Sequence, residues 1–107
     1  MRVLLDESLP RQLARELVGH TVRTVPQEGW AGLQNGALLR SAVDAKFDAF
    51  VTADQNLQYQ QNLSGSGLGV VVLAARTNRL PDLLPLVPEL LSVLGRIQAG
   101  EVIRVGG

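Results

Sequence analysis

Two aspartates of this sequence stand where they could hold a divalent metal ion. Asp6 follows a short apolar run at residues 3–5, and Asp54 follows another at residues 49–52. Two adjacent carboxylates repel each other, but the pair becomes favourable when a hard divalent cation lies between them. Mg²⁺ suits such a pair because it takes one or two carboxylates, several waters and a phosphate oxygen. The two aspartates therefore predict a site for phosphodiester hydrolysis, provided that the fold brings them together.

Four further side chains stand at the ends of the apolar runs: Glu7 and Thr52 are close in sequence to the two aspartates, and Arg76 and Arg79 follow a later run at residues 70–73. Glu7 could assist in holding the metal, and Thr52 could hydrogen-bond a metal ligand or a water. Arg76 and Arg79 could each grip a substrate phosphate, because a guanidinium matches two phosphate oxygens at once. Each of these residues also has an ordinary structural explanation, as a solvated loop charge or a strand side chain. Asp54 alone fits equally well as the cap of a following helix.

Other polar and aromatic residues are predicted to lie away from the chemistry. His20, the only histidine, begins a strand at the opposite end of the sheet, so we expect a structural role for it. Asp44 and Asp48 precede a strand and belong to that same far end. Trp30 and Tyr59 could stack on a base, but packing half-buried against the domain is the expected role for each.

The elements that must position these residues follow from the hydrophobic pattern. Short apolar runs alternate with segments of helical spacing, which is typical of buried strands covered by helices. The predicted strands span residues 2–5, 21–25, 49–52, 70–73 and 101–105. Alternation of strand and helix indicates a mainly parallel sheet, because a right-handed crossover returns each strand to the same direction. The fold class predicted is a three-layer, Rossmann-like α/β domain with about five strands and helices on both faces.

Four helical segments are predicted between the strands. The first begins near Ser8 as its N-cap, and Asn35 stands where the second should be capped. A third, short and polar, covers residues 55–62. The fourth covers residues 80–98, where two prolines predict a distorted first turn and a clean helix from Pro88 onward.

The order of the strands decides whether the two aspartates meet. In open α/β sheets the ligand site lies beyond the carboxyl ends of the strands, where the strand order reverses. A 2-1-3-4 order would make the first and third strands neighbours. Asp6 and Asp54 would then meet at that point, with the arginines beside them.

Length and composition exclude several classes of protein. The 107 residues predict a single domain, 1–107, and the formal net charge of zero provides no global field that attracts nucleic acid. There is no cysteine, so a disulfide framework and thiolate chemistry are excluded. No secretory signal is evident, and no apolar run approaches the roughly 20 residues that span a bilayer. We therefore expect a cytoplasmic protein that does not insert into a membrane.

Several segments together resemble one family. The opening MRVLLDESLPRQLA, the GHTV that follows, GWAGLQNGALLRSA and FVTADQNLQYQQNL are similar to the short bacterial PIN-like domains, among them the VapC-type toxin ribonucleases. The resemblance covers nearly the whole chain. It implies a PIN-like fold, a phosphodiesterase site that uses Mg²⁺ or Mn²⁺, a single-stranded or structured RNA substrate, and a small antitoxin protein as partner.

Carried over by position, the resemblance makes Asp6 and Asp54 the catalytic and metal-binding acids. Asn35 stands where many relatives carry an aspartate, and Asn56 where a second acid commonly follows Thr-Ala-Asp. An amide can ligate Mg²⁺ through its carbonyl oxygen but brings no charge. Asn35 and Glu7 complete the predicted metal set, and Asn56 joins Thr52 and the two arginines as predicted substrate contacts.

Three functions are consistent with this sequence. The first is a magnesium-dependent ribonuclease, the toxin of a toxin–antitoxin pair. The second is a PIN-like module that has lost catalysis and binds a partner protein or RNA. The third is a phosphoacceptor receiver domain with Asp54 as acceptor, which is ranked last because its required lysine is represented only by Lys46 on the second helix. Surplus leucines in the fourth helical segment also predict a homodimer.

Overall fold

A computed structural model describes residues 1–55 and 67–107, and one parallel sheet forms its centre. The sheet has five strands in the order β2-β1-β3-β4-β5, and every neighbouring pair is parallel. The predicted α/β class, sheet direction and adjacency of the first and third strands are confirmed. The strands are β1 Arg2–Leu5, β2 Thr21–Thr24, β3 Ala49–Thr52, β4 Gly69–Ala74 and β5 Val102–Gly106.

The burial of each strand follows its place in the sheet. β3 and β4 are buried along their whole length, as expected of central strands covered on both faces. The edge strands β2 and β5 each combine buried and exposed positions. The continuous apolar runs of the sequence therefore form the middle of the sheet.

Helical segments cover both faces, which gives three layers. A 3-10 helix at Arg11–Glu16 and the C-terminal helical region pack on one face, against side chains such as Leu5, Val51 and Leu73. Helix α1, Asn35–Asp44, packs on the other face against Leu4, Phe50 and Val72. Because neighbouring side chains on a strand point to opposite faces, each central strand contributes to both cores.

The first helical segment differs from its prediction. It is a 3-10 helix that begins after Pro10, and Ser8 does not cap it. The Ser8 hydroxyl instead donates to the Asp6 carboxylate, and the Leu9 amide donates to the Asp6 carbonyl oxygen. The chain after β1 is therefore held in a turn around Asp6, and the helix begins only after that turn.

The C-terminal helical region follows its prediction closely. It consists of α2 at Leu80–Leu83, a 3-10 turn at Leu84–Leu86 and α3 at Val87–Leu94. Prolines in the opening turns of these pieces lack the amide that a continuous α-helix would use, which explains the interruption. The regular helix begins one residue before Pro88 and ends at Leu94, four residues before the predicted end.

Most leucines of this region are committed to the core. Leu83, Leu90 and Leu94 are buried, while Leu84 keeps 39% of its surface exposed. The homodimer therefore stays a prediction. No helix in residues 1–55 or 67–107 is long and apolar enough to cross a bilayer. The predicted helix at residues 55–62 lies almost entirely outside the described residues.

Candidate metal and phosphate site

The carboxyl ends of β1 and β3 open into one pocket that contains both predicted aspartates. Asp6 is the residue after β1, and Asp54 comes two residues after β3. Both line a pocket of about 380 Å³, which they share with side chains from the loops and from α1. The adjacency of the two strands thus brings Asp6 and Asp54 together at the point where the strand order reverses.

Thr52 connects the two aspartates from beneath. Its Oγ1 donates to Asp6 Oδ2 at 2.7 Å and accepts the Asp54 amide proton at 3.0 Å. Only 1% of Thr52 is exposed, so a substrate cannot reach it. Thr52 therefore hydrogen-bonds one of the carboxylates predicted to hold a metal, and as the last residue of a buried strand it lies inside the domain.

The Asp6 carboxylate is held by three donors. Oδ1 accepts the Glu7 amide proton at 2.8 Å. Oδ2 accepts the Ser8 hydroxyl at 3.0 Å in addition to Thr52. A carboxylate oxygen has two lone pairs. Oδ2 therefore uses its full capacity on the protein, and Oδ1 is the oxygen with capacity remaining for a cation.

Asn35 holds the second aspartate. It is the first residue of α1, and its Nδ2 lies 3.3 Å from Asp54 Oδ2. The nitrogen must face the carboxylate, since the opposite amide orientation would bring two acceptors together. The predicted N-cap at Asn35 is wrong: Gln34 occupies that position and makes no side-chain capping bond. The amide is used for Asp54 instead.

Glu7 lies at the rim of the same pocket. Its side chain is exposed, and Oε1 accepts the Gly32 amide proton at 3.2 Å. This bond joins the turn after β1 to the loop before α1. Because one carboxylate oxygen is engaged there, Glu7 adds negative charge to the pocket and stabilises its wall.

The loop after β4 contributes Asn78 to the pocket, and places the two arginines beside it. Arg76 and Arg79 line a neighbouring cleft of about 430 Å³. Thr77 fixes this loop, since its hydroxyl accepts the Arg79 amide proton and donates to Asp82. Sequence reasoning singled out the arginines as substrate contacts, but it missed the pocket positions of Asn78 and Ser8. The signal for both was their position in a loop that follows a strand, three residues after β1 for Ser8 and four residues after β4 for Asn78.

The residues predicted to have a structural role at the far end of the sheet lie at its amino end. His20 is at the amino end of the sheet, where its Nδ1 lies 3.4 Å from the N-terminal amine. Partial burial, and then the positive N-terminus, lower the pKa of His20. Asp48 accepts the Arg2 amide proton at that same end.

Trp30 packs edge-on against Phe47, with ring centroids 6.0 Å apart. Asn56 and Tyr59 lie outside the described residues.

The site is a pair of acids rather than a larger cluster. Within the part of the chain that the structure describes, no three or more histidine, aspartate or glutamate side chains are grouped so that they could hold a metal ion together. Any cation here would therefore rely on two carboxylates, amide and hydroxyl oxygens, and water.

The role of Thr52 can be tested by stability. We expect Thr52→Val to lower the free energy of unfolding by about 1–3 kcal/mol, because it removes the hydroxyl that accepts the Asp54 amide proton and donates to Asp6. Thr52→Ser keeps the hydroxyl and should cost only about 1 kcal/mol for the lost methyl group. Urea denaturation of both variants measures the difference. Equal losses would show that the hydroxyl has no bridging role.

Comparisons with known proteins identify no match to this chain. No family model matches the chain, and no curated protein or solved structure shows significant similarity to it. The fold and the site therefore define the class directly: an α/β protein with a Rossmann-like parallel sheet and a paired-carboxylate pocket at the switch point.

Proposed function

We propose that this protein is a magnesium-dependent hydrolase of RNA phosphodiester bonds, of the PIN-like type. One observation carries the proposal: carboxylates from two adjacent strand ends line a single pocket at the switch point of a parallel sheet. That is where ligands bind in sheets of this kind. The pairing also has a cost, repulsion between two negative charges, which a bound cation would remove.

The donor set suits Mg²⁺ better than a softer metal. Mg²⁺ prefers oxygen ligands, needs only one or two carboxylates and completes its shell with water and phosphate. Asp6 through Oδ1, and the Asp54 carboxylate, would hold it, with the Asn35 carbonyl oxygen as a neutral candidate. Mn²⁺ accepts the same ligands. Such an ion, when bound, offsets phosphate charge and lowers the pKa of a bound water.

The protein's own contribution is preorganisation. Thr52, Ser8 and the Glu7 amide fix the orientation of the Asp6 carboxylate, and Asn35 fixes that of Asp54. Side chains held in this way need little rearrangement when a charged ligand arrives. Arg76 and Arg79, on the loop that also provides Asn78, would hold substrate phosphate by bidentate contacts.

RNA as substrate, a toxin role and an antitoxin partner rest on the resemblance to PIN-like domains described above. In this proposal the protein works in the cytoplasm, where RNA and Mg²⁺ are both present. An antitoxin would have to cover the pocket or its rim, where Glu7 and Leu33 are exposed.

Cleavage of RNA tests the proposal directly. The purified chain should cut a fluorescently labelled single-stranded RNA in the presence of Mg²⁺ or Mn²⁺, and excess EDTA should stop the reaction. Restoring Mg²⁺ after EDTA should restore it. Cleavage that continues in EDTA, or no cleavage of single-stranded or structured RNA with either metal, would contradict the proposal.

A second candidate is a non-catalytic module of the same fold. It is favoured by the neutral amide at Asn35 and by the absence, in residues 1–55 and 67–107, of a third acid grouped with the pair. This module would bind RNA or a partner protein without measurable Mg²⁺ binding at millimolar concentration in calorimetry. The receiver domain is less consistent with the fold, because its function requires a lysine near the phosphoacceptor aspartate. Lys46 lies between α1 and β3, at the amino end of the sheet and opposite the pocket.

A further inference from the structure

Two clefts that contain arginine pairs are associated with β2 and β4, the strands that flank β1 and β3 in the sheet. The first is the cleft beside β4 with Arg76 and Arg79. The second, of about 540 Å³, lies between the 3-10 helix and β2 and is lined by Arg11, Arg15 and residues that include Thr24 and Gln27. We call them the β4 cleft and the β2 cleft. No function proposed above uses the β2 cleft.

The four arginines of these clefts are not neutralised by ion pairs within the described parts of the chain. The one salt bridge found there joins Arg23 to Glu28. No acidic side chain lines the β2 cleft. Asp82 lines the β4 cleft, where its carboxylate accepts the Thr77 hydroxyl. Both clefts therefore have a net positive charge, although the whole chain is neutral.

The sheet order places one cleft-bearing strand on each side of the strands that precede the acids. Across the carboxyl edge the strands run β2, β1, β3, β4 and β5, so the aspartates follow β1 and β3, while the clefts border the flanking strands β2 and β4. Neighbouring strands lie about 4.8 Å apart, so β2 and β4 are separated by about 14 Å. A chain of phosphates that crosses this edge would meet positive charge, then the acidic pocket, then positive charge again.

We propose that the β2 and β4 clefts are phosphate subsites that hold an RNA single strand across the carboxylate pocket, one on each side of the bond to be cut. This inference rests on the proposed function and adds the path of the substrate. A flexible single strand can bend to enter both clefts and the pocket between them, whereas a short duplex behaves as a stiff rod. Preference for single-stranded RNA follows from that difference.

Salt dependence of binding measures these contacts separately from catalysis. Binding of a labelled single-stranded RNA to the full chain is followed by fluorescence anisotropy in EDTA, so that no metal-dependent cleavage occurs. Four phosphate contacts predict a slope of about −2.8 for log K against log salt concentration, and each double variant, Arg11→Gln/Arg15→Gln or Arg76→Gln/Arg79→Gln, should remove about 1.4 of it. Affinity at low salt should fall about tenfold or more for each pair.

Matched variants separate these sites from a general charge effect. Arg40→Gln/Arg96→Gln makes the same change in net charge at two exposed positions outside both clefts, and its slope should equal that of the unmodified chain. Arg→Lys versions of the cleft pairs should keep the slope, because they keep the charge, while losing part of the affinity. All these positions except Arg15 and Arg40 lie outside regular helix interiors, and circular dichroism verifies that each variant is folded.

Each outcome supports or overturns the inference. Cleft variants that bind like the Arg40/Arg96 control, absence of binding by the unmodified chain, or equal binding of a duplex would overturn it. If the slopes are as expected but no RNA is cut with Mg²⁺, the clefts stand and the proposed hydrolase fails. If RNA is cut and the cleft variants are indistinguishable from the control, the hydrolase stands and the clefts fail.

Discussion

Replacing Asp6 with asparagine is expected to reduce magnesium-dependent RNA cleavage by about 100-fold or more, the scale seen when one preorganised charge-stabilising group is removed from an active site. The change removes the negative charge of the carboxylate, whose Oδ1 retains capacity for a cation. Calorimetry with Mg²⁺ alone should show a matching loss of affinity. This second measurement does not depend on the RNA that is chosen as substrate.

The fold should survive this substitution. Asparagine has nearly the shape of aspartate, and its carbonyl oxygen can still accept the Glu7 amide proton. The Ser8 and Thr52 hydroxyls, which donate to Oδ2 in the unmodified chain, can each accept one proton from the new NH2 group, because a hydroxyl both donates and accepts. We therefore expect a far-ultraviolet circular dichroism spectrum like that of the unmodified chain.

Asp44→Asn is the matched control for Asp6→Asn. It makes the same chemical and charge change at an exposed residue, the last of α1 and remote from the pocket. Its cleavage rate and Mg²⁺ affinity should be unchanged. An Asp6→Asn protein that still cuts RNA at the rate of the Asp44→Asn control would exclude Asp6 as a metal ligand and with it the proposed mechanism.

The sheet and the meeting of the two acids could be predicted because both depend on strong, local signals. Continuous apolar runs in β3 and β4 allow little except buried strands, and parallel direction follows from the alternation with helices. Once β1 and β3 are neighbours, the residues after them must share an edge. Asp6 and Asp54 were therefore predictable as a pair from strand ends alone.

The details of the site were less predictable, because short polar side chains have several competing partners. Ser8 and Asn35 have the residue types that favour helix N-caps, yet Ser8 bonds the carboxylate of Asp6, two residues earlier, and Asn35 bonds that of Asp54, nineteen residues later. The choice depends on where Asp6 and Asp54 lie in three dimensions. For Asn35, whose partner lies nineteen residues away, a propensity that depends only on neighbouring residues does not contain that information.

The 3-10 helix after β1 illustrates the same competition. Residues 11–17 contain good α-helix formers, and the buried leucines have helical spacing. However, the turn around Asp6 and Pro10 leaves only the segment Arg11–Glu16 for the helix before the chain must turn into β2. Short helices draw most of their stability from packing, so tertiary contacts rather than propensity determine the winding. The same constraint places Arg11 and Arg15 beside β2.

Introducing a third carboxylate at position 35 should strengthen Mg²⁺ binding, by about tenfold or more. In Asn35→Asp a charged ligand replaces the neutral amide next to Asp54, and Mg²⁺ affinity rises with the charge of its ligands. Without metal the new carboxylate faces Asp54 Oδ2, where the Asn35 amide lay at 3.3 Å. The lost hydrogen bond and the like-charge repulsion should lower the free energy of unfolding by about 1–2 kcal/mol.

The Asn35→Asp substitution should therefore have opposite effects on stability without and with Mg²⁺. Asn35→Asp should melt below the unmodified chain in EDTA, and its melting temperature should rise more steeply with added Mg²⁺, because a ligand that binds only the folded state stabilises it by RT ln(1 + [L]/Kd). Differential scanning fluorimetry across a Mg²⁺ titration measures both effects. This readout requires neither RNA nor catalysis.

Gln34→Glu is the control, since it adds the same charge at the exposed N-cap of α1 without replacing a residue that lines the pocket. It should gain the small benefit of an acid at a helix N-terminus, about 0.3–1 kcal/mol, and show no added response to Mg²⁺. If Asn35→Asp and Gln34→Glu respond alike to Mg²⁺, then the Asp54 side of the pocket does not take part in holding a cation. The non-catalytic module would then be the better explanation of the chain, because a new carboxylate at position 35 would not change the affinity for Mg²⁺.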